Sequence, residues 1–162
     1  MSRSIVLVVL VGLGATAVMD LWLLLLARLG VPFAGFAAVG RWVGHMLRGT
    51  FVHPSIARAR PIRAEAALGW ATHYAVGVAF ATLLVGLFGT GWLAAPTPLP
   101  ALAVGLATVV MPLLVMQPAM GAGIASSRTP TPLKNSLRSV ANHTVFGAGL
   151  YLAASVVAWM PR

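Results

Sequence analysis

Residues 30–65 read GVPFAGFAAVGRWVGHMLRGTFVHPSIARARPIRAE. They hold two of the four histidines, five of the eleven basic residues and one of the two acids in a chain that is 59% hydrophobic and 8% charged. Phe33, Phe36, Val39, Val43, Met46 and Leu47 recur at helical spacing, while Arg41, His45 and Arg48 fall at i, i+4 and i+7 on the other face. This pattern predicts a short amphipathic helix in the membrane interface, apolar side down. Gly49 suits its end, and Pro54 forces His53 into an extended conformation. The interfacial segment is expected over about 32–64.

The flanking sequence makes the membrane reading necessary. A soluble domain carries roughly a quarter charged residues. Here the charged fraction is far lower and the mean hydropathy is +0.92. The net charge of +9 would point to nucleic acid in a soluble protein. In this chain the bases flank apolar spans, so topology and anionic lipid headgroups account for them, and no nucleic acid partner is expected. The absence of cysteine removes disulfides, thiol redox chemistry and iron–sulfur ligation.

Four spans are expected in one membrane domain over 1–162, at about 5–28, 66–89, 99–121 and 138–160, the last helix starting in water near Leu133. In the first, Gly12, Thr16 and Asp20 follow at i+4 steps, so small residues admit a neighbouring helix and Asp20 points into the bundle. In the second, Gly69, His73, Gly77 and Ala81 share a face. Pro112 and Pro118 interrupt the hydrogen-bond ladder of the third, with Gln117 between them and Met111, Met116 and Met120 as core filler. Trp70, Trp92 and Trp159 read as anchors at span ends.

The loops after spans one and three lie on the same side. With their flanks they hold Arg28, Arg41, Arg48, Arg58, Arg60, Arg63, Arg128, Lys134 and Arg138, against Arg3 and Arg162 on the other side. The positive-inside rule then makes both basic loops cytoplasmic and turns both termini to the outer side. Arg58, Arg60, Arg63, Arg128, Lys134 and Arg138 are the expected headgroup contacts. A homo-oligomer is the other partner considered.

The chain repeats weakly. Ala15-Thr16-Ala17-Val18-Met19 reads like Ala107-Thr108-Val109-Val110-Met111, and Ala71-Thr72-His73 before Gly77 reads like Ala141-Asn142-His143 before Gly147. The expected fold is therefore all-α: four transmembrane helices as two similar hairpins, plus the cytoplasmic-side interfacial helix. The stretches ATAVMDLW, GRWVGHMLRGTFVH, GWATHYAVGVAFA, MQPAMGAGIASSRTP and HTVFGAGLY together resemble a bacterial membrane family known as domain of unknown function 2938. The resemblance covers nearly the whole chain. It implies a small four-span protein of the bacterial inner membrane, which makes the outer side periplasmic for both termini, and it brings no activity, ligand or catalytic residue.

Asp20, His73, Gln117 and His143 fall in the cytoplasmic half of their spans, Asp20 about 12 Å of helical rise from Arg28. They are the expected intramembrane polar cluster, with Arg41, His45, His53 and Glu65 as a lid. Three readings stand. The residues serve as interhelical glue. Alternatively, Asp20 carries a proton in a coupled transport site that the histidines tune. In the third reading, His73 and His143 ligate a haem or another metal across the pseudo-axis, with Arg41 or Arg128 meeting propionates. Two lone histidines without a spacing motif assign no metal, and no cofactor is fixed. A lipid-binding or purely structural role is a further alternative. A hydrolase is not indicated, because Ser126 and Ser127 lie outside any nucleophile-elbow sequence. The sharpest geometric expectation is that Asp20 and His73 approach across the first hairpin, with His143 on the far side of the same pocket.

Overall fold

A long apolar stretch can satisfy its own backbone in a bilayer, without partner strands, by coiling into a helix. The computed structural model describes residues 3–31 and 35–160, and no strand occurs among them. Pro32, Phe33 and Arg162, which entered the sequence reading, lie outside the described residues.

Four helices are long and apolar enough to cross a membrane. The first is α1, Arg3–Arg28. At 26 residues it is about 39 Å long, enough for a hydrocarbon core of about 30 Å. After α2, Ala37–Met46, the second span is α3, Glu65–Phe88. The third, Pro98–Ala119, is built of α4 (Pro98–Ala107), a π-helical stretch (Met111–Met116) and a final turn, α5 (Gln117–Ala119). The fourth is α6, Pro132–Ala158. The chain is an all-α polytopic membrane protein.

Two compact units divide the chain, and the boundaries at 73/74 and 140/141 fall inside α3 and α6. The first comprises 1–32, 74–108 and 141–162, and the second 33–73 and 109–140.

The first unit is the apolar bundle. Its core includes Val11, Ala15, Ala81, Leu84, Ala101, Phe146, Leu150 and Ala154. Lipid tails are as apolar as these side chains, so helix pairing rests on close packing. The closest packing is at glycine. A Cβ on Gly77 would collide with the Thr16 hydroxyl, and one on Gly12 would meet the Val78 backbone, so α1 and α3 cross backbone to backbone. A Cβ on Gly105 would likewise strike the Gly147 backbone where α4 crosses α6. Trp92 departs from its expected role as an interface anchor. The 3₁₀ turn Thr90–Leu93 folds it back onto the core, its indole N–H donates to the Thr97 carbonyl at 3.3 Å, and only 7% of it stays exposed.

The second unit is assembled from loops and helix ends. In α2, Gly40 and Gly44 are buried because a Cβ at either would meet the Glu65 carbonyl or the Ile62 side chain. The helix is shorter than the expected Phe33–Arg48. Its last carbonyls are closed by the Gly49 N–H on Met46 and the Thr50 N–H on His45, with Gly49 at φ +83°. The extended segment at His53 then pairs with the end of the third span: its N–H donates to the Ala119 carbonyl at 2.7 Å, and the Ile56 N–H to Met120 at 3.0 Å. Pro112 and Pro118 lack N–H groups, and the ladder between them widens to π, with the Gln117 N–H reaching Pro112. None of the π-helical residues is buried, so Met111 is exposed and does not fill a core.

Candidate functional site

Asp20 is held in the first unit, half-buried on α1. The Tyr74 hydroxyl on α3 donates to its Oδ2 at 2.7 Å. Tyr74 did not figure in the sequence reading. The signal was available: it follows His73 directly and lies two residues beyond Thr72. An aromatic residue in a span reads by default as lipid-facing filler, and this one escaped notice for that reason. A phenol is a useful partner for a buried carboxyl group. It donates to the charged form, and it can still donate to the carbonyl oxygen when the acid is protonated.

His143, also in the first unit, meets the third span. Its Nδ1 lies 3.0 Å from the Thr108 Oγ1, and that hydroxyl is 2.7 Å from the Gly105 carbonyl. A carbonyl only accepts, so the single hydroxyl proton of Thr108 goes to Gly105. His143 therefore donates through Nδ1–H. The ring also tilts against Phe80, centroids 6.4 Å apart. On the same helix the Asn142 Oδ1 accepts from the Trp22 indole N–H at 3.0 Å.

His73 and Gln117 belong to the second unit. The His73 ring stacks on Phe36 with centroids 4.0 Å apart and stands edge-on to Trp70 at 5.9 Å. Gln117 is bound at both ends of its amide. The Ser126 hydroxyl donates to its Oε1 at 2.9 Å, and its Nε2 donates to the Ser139 hydroxyl at 3.3 Å. This network holds a strained turn. Ala125 (φ +48°) and Ser126 (φ +61°) are left-handed without being glycine. The Ser136 hydroxyl fixes the Ala125 carbonyl, and Thr129 fixes that of Ser126.

The four residues expected as a lid come together in two pairs within the second unit. Arg41 and Glu65 form a bidentate ion pair, Nε to Oε2 at 2.9 Å and Nη2 to Oε1 at 2.8 Å. The remaining guanidinium donor, Nη1, reaches the carbonyls of Ile56, Ala57 and Ala59 at 3.2–3.4 Å. The carboxylate raises the Arg41 pKa further above its ordinary value, chiefly through the hydrogen bond. Glu65 also accepts the Ile62 N–H. His45 donates through Nε2 to the Arg60 carbonyl at 2.9 Å and stands edge-on to His53, centroids 4.9 Å apart. His53 is 7% exposed, and its Nε2 is buried with no hydrogen-bond partner.

Among the described residues, no three His, Cys, Asp or Glu side chains are grouped to hold a metal ion. Asp20 lies in the first unit and His73 in the second.

A family model described as protein of unknown function, DUF2938, matches residues 9–157. The chain belongs to that family. The DUF2938 match takes in every side chain of the candidate site, from Asp20 to His143. No curated protein and no solved structure matches the chain.

Proposed function

We propose that the protein is a multi-pass protein of the bacterial inner membrane that binds and releases a proton at Asp20, coupled to permeation of a solute or ion. The carrying observation is the Tyr74–Asp20 hydrogen bond at 2.7 Å. Ionisable groups are costly inside a bilayer, and those that occur there mark proton and ion pathways. Asp20 is the acid lying well inside a span, since Glu65, the chain's other acid, stands at the first turn of α3 beside Arg41. A hydroxyl donor serves either protonation state, so the site can change charge and keep its partner. In this reading Tyr74 keeps Asp20 hydrogen-bonded through the change of charge, and His143, in the same unit, is the polar group that tunes it.

The orientation proposed is cytoplasmic for both basic loops and periplasmic for the termini. The gathering of Arg41, Arg48, Arg58, Arg60, Arg63, Arg128, Lys134 and Arg138 into one unit supports it. A reporter fused near Pro96 then reads periplasmic, and one near Pro130 cytoplasmic.

The function is tested with the purified protein in liposomes carrying an internal pH-sensitive dye. Proton flux down an imposed gradient is expected for the native chain, none for Asp20→Asn, and a reduced rate for Tyr74→Phe. Equal flux in protein-free liposomes, or in Asp20→Asn shown folded by circular dichroism, overturns the proposal. A Soret band that disappears in His143→Ala would move the argument to the haem reading.

A further inference from the structure

The second unit carries two kinds of exposed side chain that rarely occur together on a surface facing water. Arg48, Arg58, Arg60, Arg63, Arg128 and Lys134 are exposed. No exposed acid answers them among the described residues of the unit, because Glu65 is half-buried and paired with Arg41. None of the six makes a side-chain hydrogen bond or ion pair within the described residues, in contrast to Arg41. Beside them Leu47, Phe51 and Val52 are 80%, 59% and 68% exposed, and Leu133 and Leu137 flank Lys134.

The first three sit on a turn of fixed shape. It is closed at its start by the Gly49 and Thr50 amides. Further along, the Trp42 indole N–H donates to the Phe51 carbonyl at 2.9 Å. A rigid turn that presents apolar side chains loses little conformational freedom when it inserts into another phase.

We propose that this surface binds anionic phospholipid, with the 47–52 turn dipping its three apolar side chains to the acyl boundary and the free bases meeting headgroup phosphates. Both halves of the surface are needed for the assignment. A nucleic acid backbone would satisfy the charge and leave Leu47, Phe51 and Val52 without a match. A bilayer interface satisfies both, and the helices that end in this unit are long enough to enter one. The proposal does not depend on a proton at Asp20. It also gives the interfacial segment a more definite place of contact: the turn after α2, not the length of that helix.

The test uses the intact protein in lipid nanodiscs. Native mass spectrometry is expected to show phosphatidylglycerol retained in preference to phosphatidylcholine. Arg58→Gln, Arg60→Gln and Arg63→Gln each lower that retention by about fivefold, and added salt lowers it for the native chain. Lys134→Gln, on a different element, does the same, so misfolding of one variant leaves the measurement intact. Retention without regard to headgroup charge overturns the proposal. So does displacement of phosphatidylglycerol by soluble glycerol phosphate, which would mark a free-phosphate site, or by an RNA oligonucleotide. The chain has no cysteine, so Phe51→Cys carries a single environment-sensitive dye. Quenching of that dye by a lipid-borne quencher is expected, and quenching by aqueous iodide at the rate of free dye overturns the insertion.

Discussion

The two units solve the same problem with different materials. In the first, helices meet through apolar side chains and through glycines that let backbones touch, and its polar groups act in pairs: Tyr74 with Asp20, Trp22 with Asn142, His143 with Thr108. In the second, irregular chain is fastened by charge and by hydroxyl–amide networks: Arg41 on Glu65 and three carbonyls, and Gln117 between Ser126 and Ser139. Surrounded by hydrocarbon, irregular backbone would leave polar groups unsatisfied, so it collects where side chains can answer it. The difference teaches where each kind of substitution should hurt.

The sharpest way to break the first unit is Gly77→Leu. The new side chain meets the buried Thr16 hydroxyl and the backbone carbonyl of Gly12. Overpacking of about 3 kcal/mol or more is expected, read as loss of folded protein in detergent by size exclusion. Arg41→Ala should act next most strongly, and only in the second unit. It releases the carbonyls of 56–59 and leaves Glu65 without its partner. Hydrogen exchange at 55–65 should rise while exchange in 78–88 stays as in the native chain. A rise in both segments would mean that the units are not energetically distinct.

Smaller changes sharpen the contrast. Trp22→Phe removes one interhelical hydrogen bond and keeps the ring. Such bonds contribute about 0.6 kcal/mol in helical membrane proteins, and reversible denaturation should show a loss of that order. Ala125→Gly should do the reverse. It relieves a left-handed alanine worth about 1 kcal/mol or more, offset in part by the freedom glycine has when unfolded. A net gain of a few tenths of a kcal/mol is expected. A loss would show that the Ala125 methyl packs against something that matters.

Much of this architecture is legible in the residues. Long apolar stretches with few charges mark four spans, and the i+4 run of Gly12 and Thr16 marks the face on which α3 packs. Gly49 and Pro54 mark the turn after α2 and the extended segment beyond it. The pairings are less legible. Arg41 and Glu65 are 24 residues apart, and nothing in either neighbourhood names the other. Tyr74 escaped notice because an aromatic residue in a span reads by default as lipid-facing filler. The left-handed Ala125 and Ser126 were hidden for another reason: residues with side chains avoid that conformation, so it shows only when the surrounding network enforces it. Trp92 misled because span-end tryptophans are usually interface anchors, and a 3₁₀ turn reversed its direction.

The Arg41 clamp also implies an order of events at the ribosome. Glu65 opens the second span, so the loop from 36 to 64 cannot lock until that span has begun to emerge. The His53 amide waits longer, for Ala119 at the end of the third span, 66 residues downstream. Gln117 must wait for Ser139, already on the fourth. The second unit is thus closed in three steps, each timed by the arrival of a further helix, and a nascent chain halted between them would expose the Arg41 guanidinium and the carbonyls that the finished protein pairs.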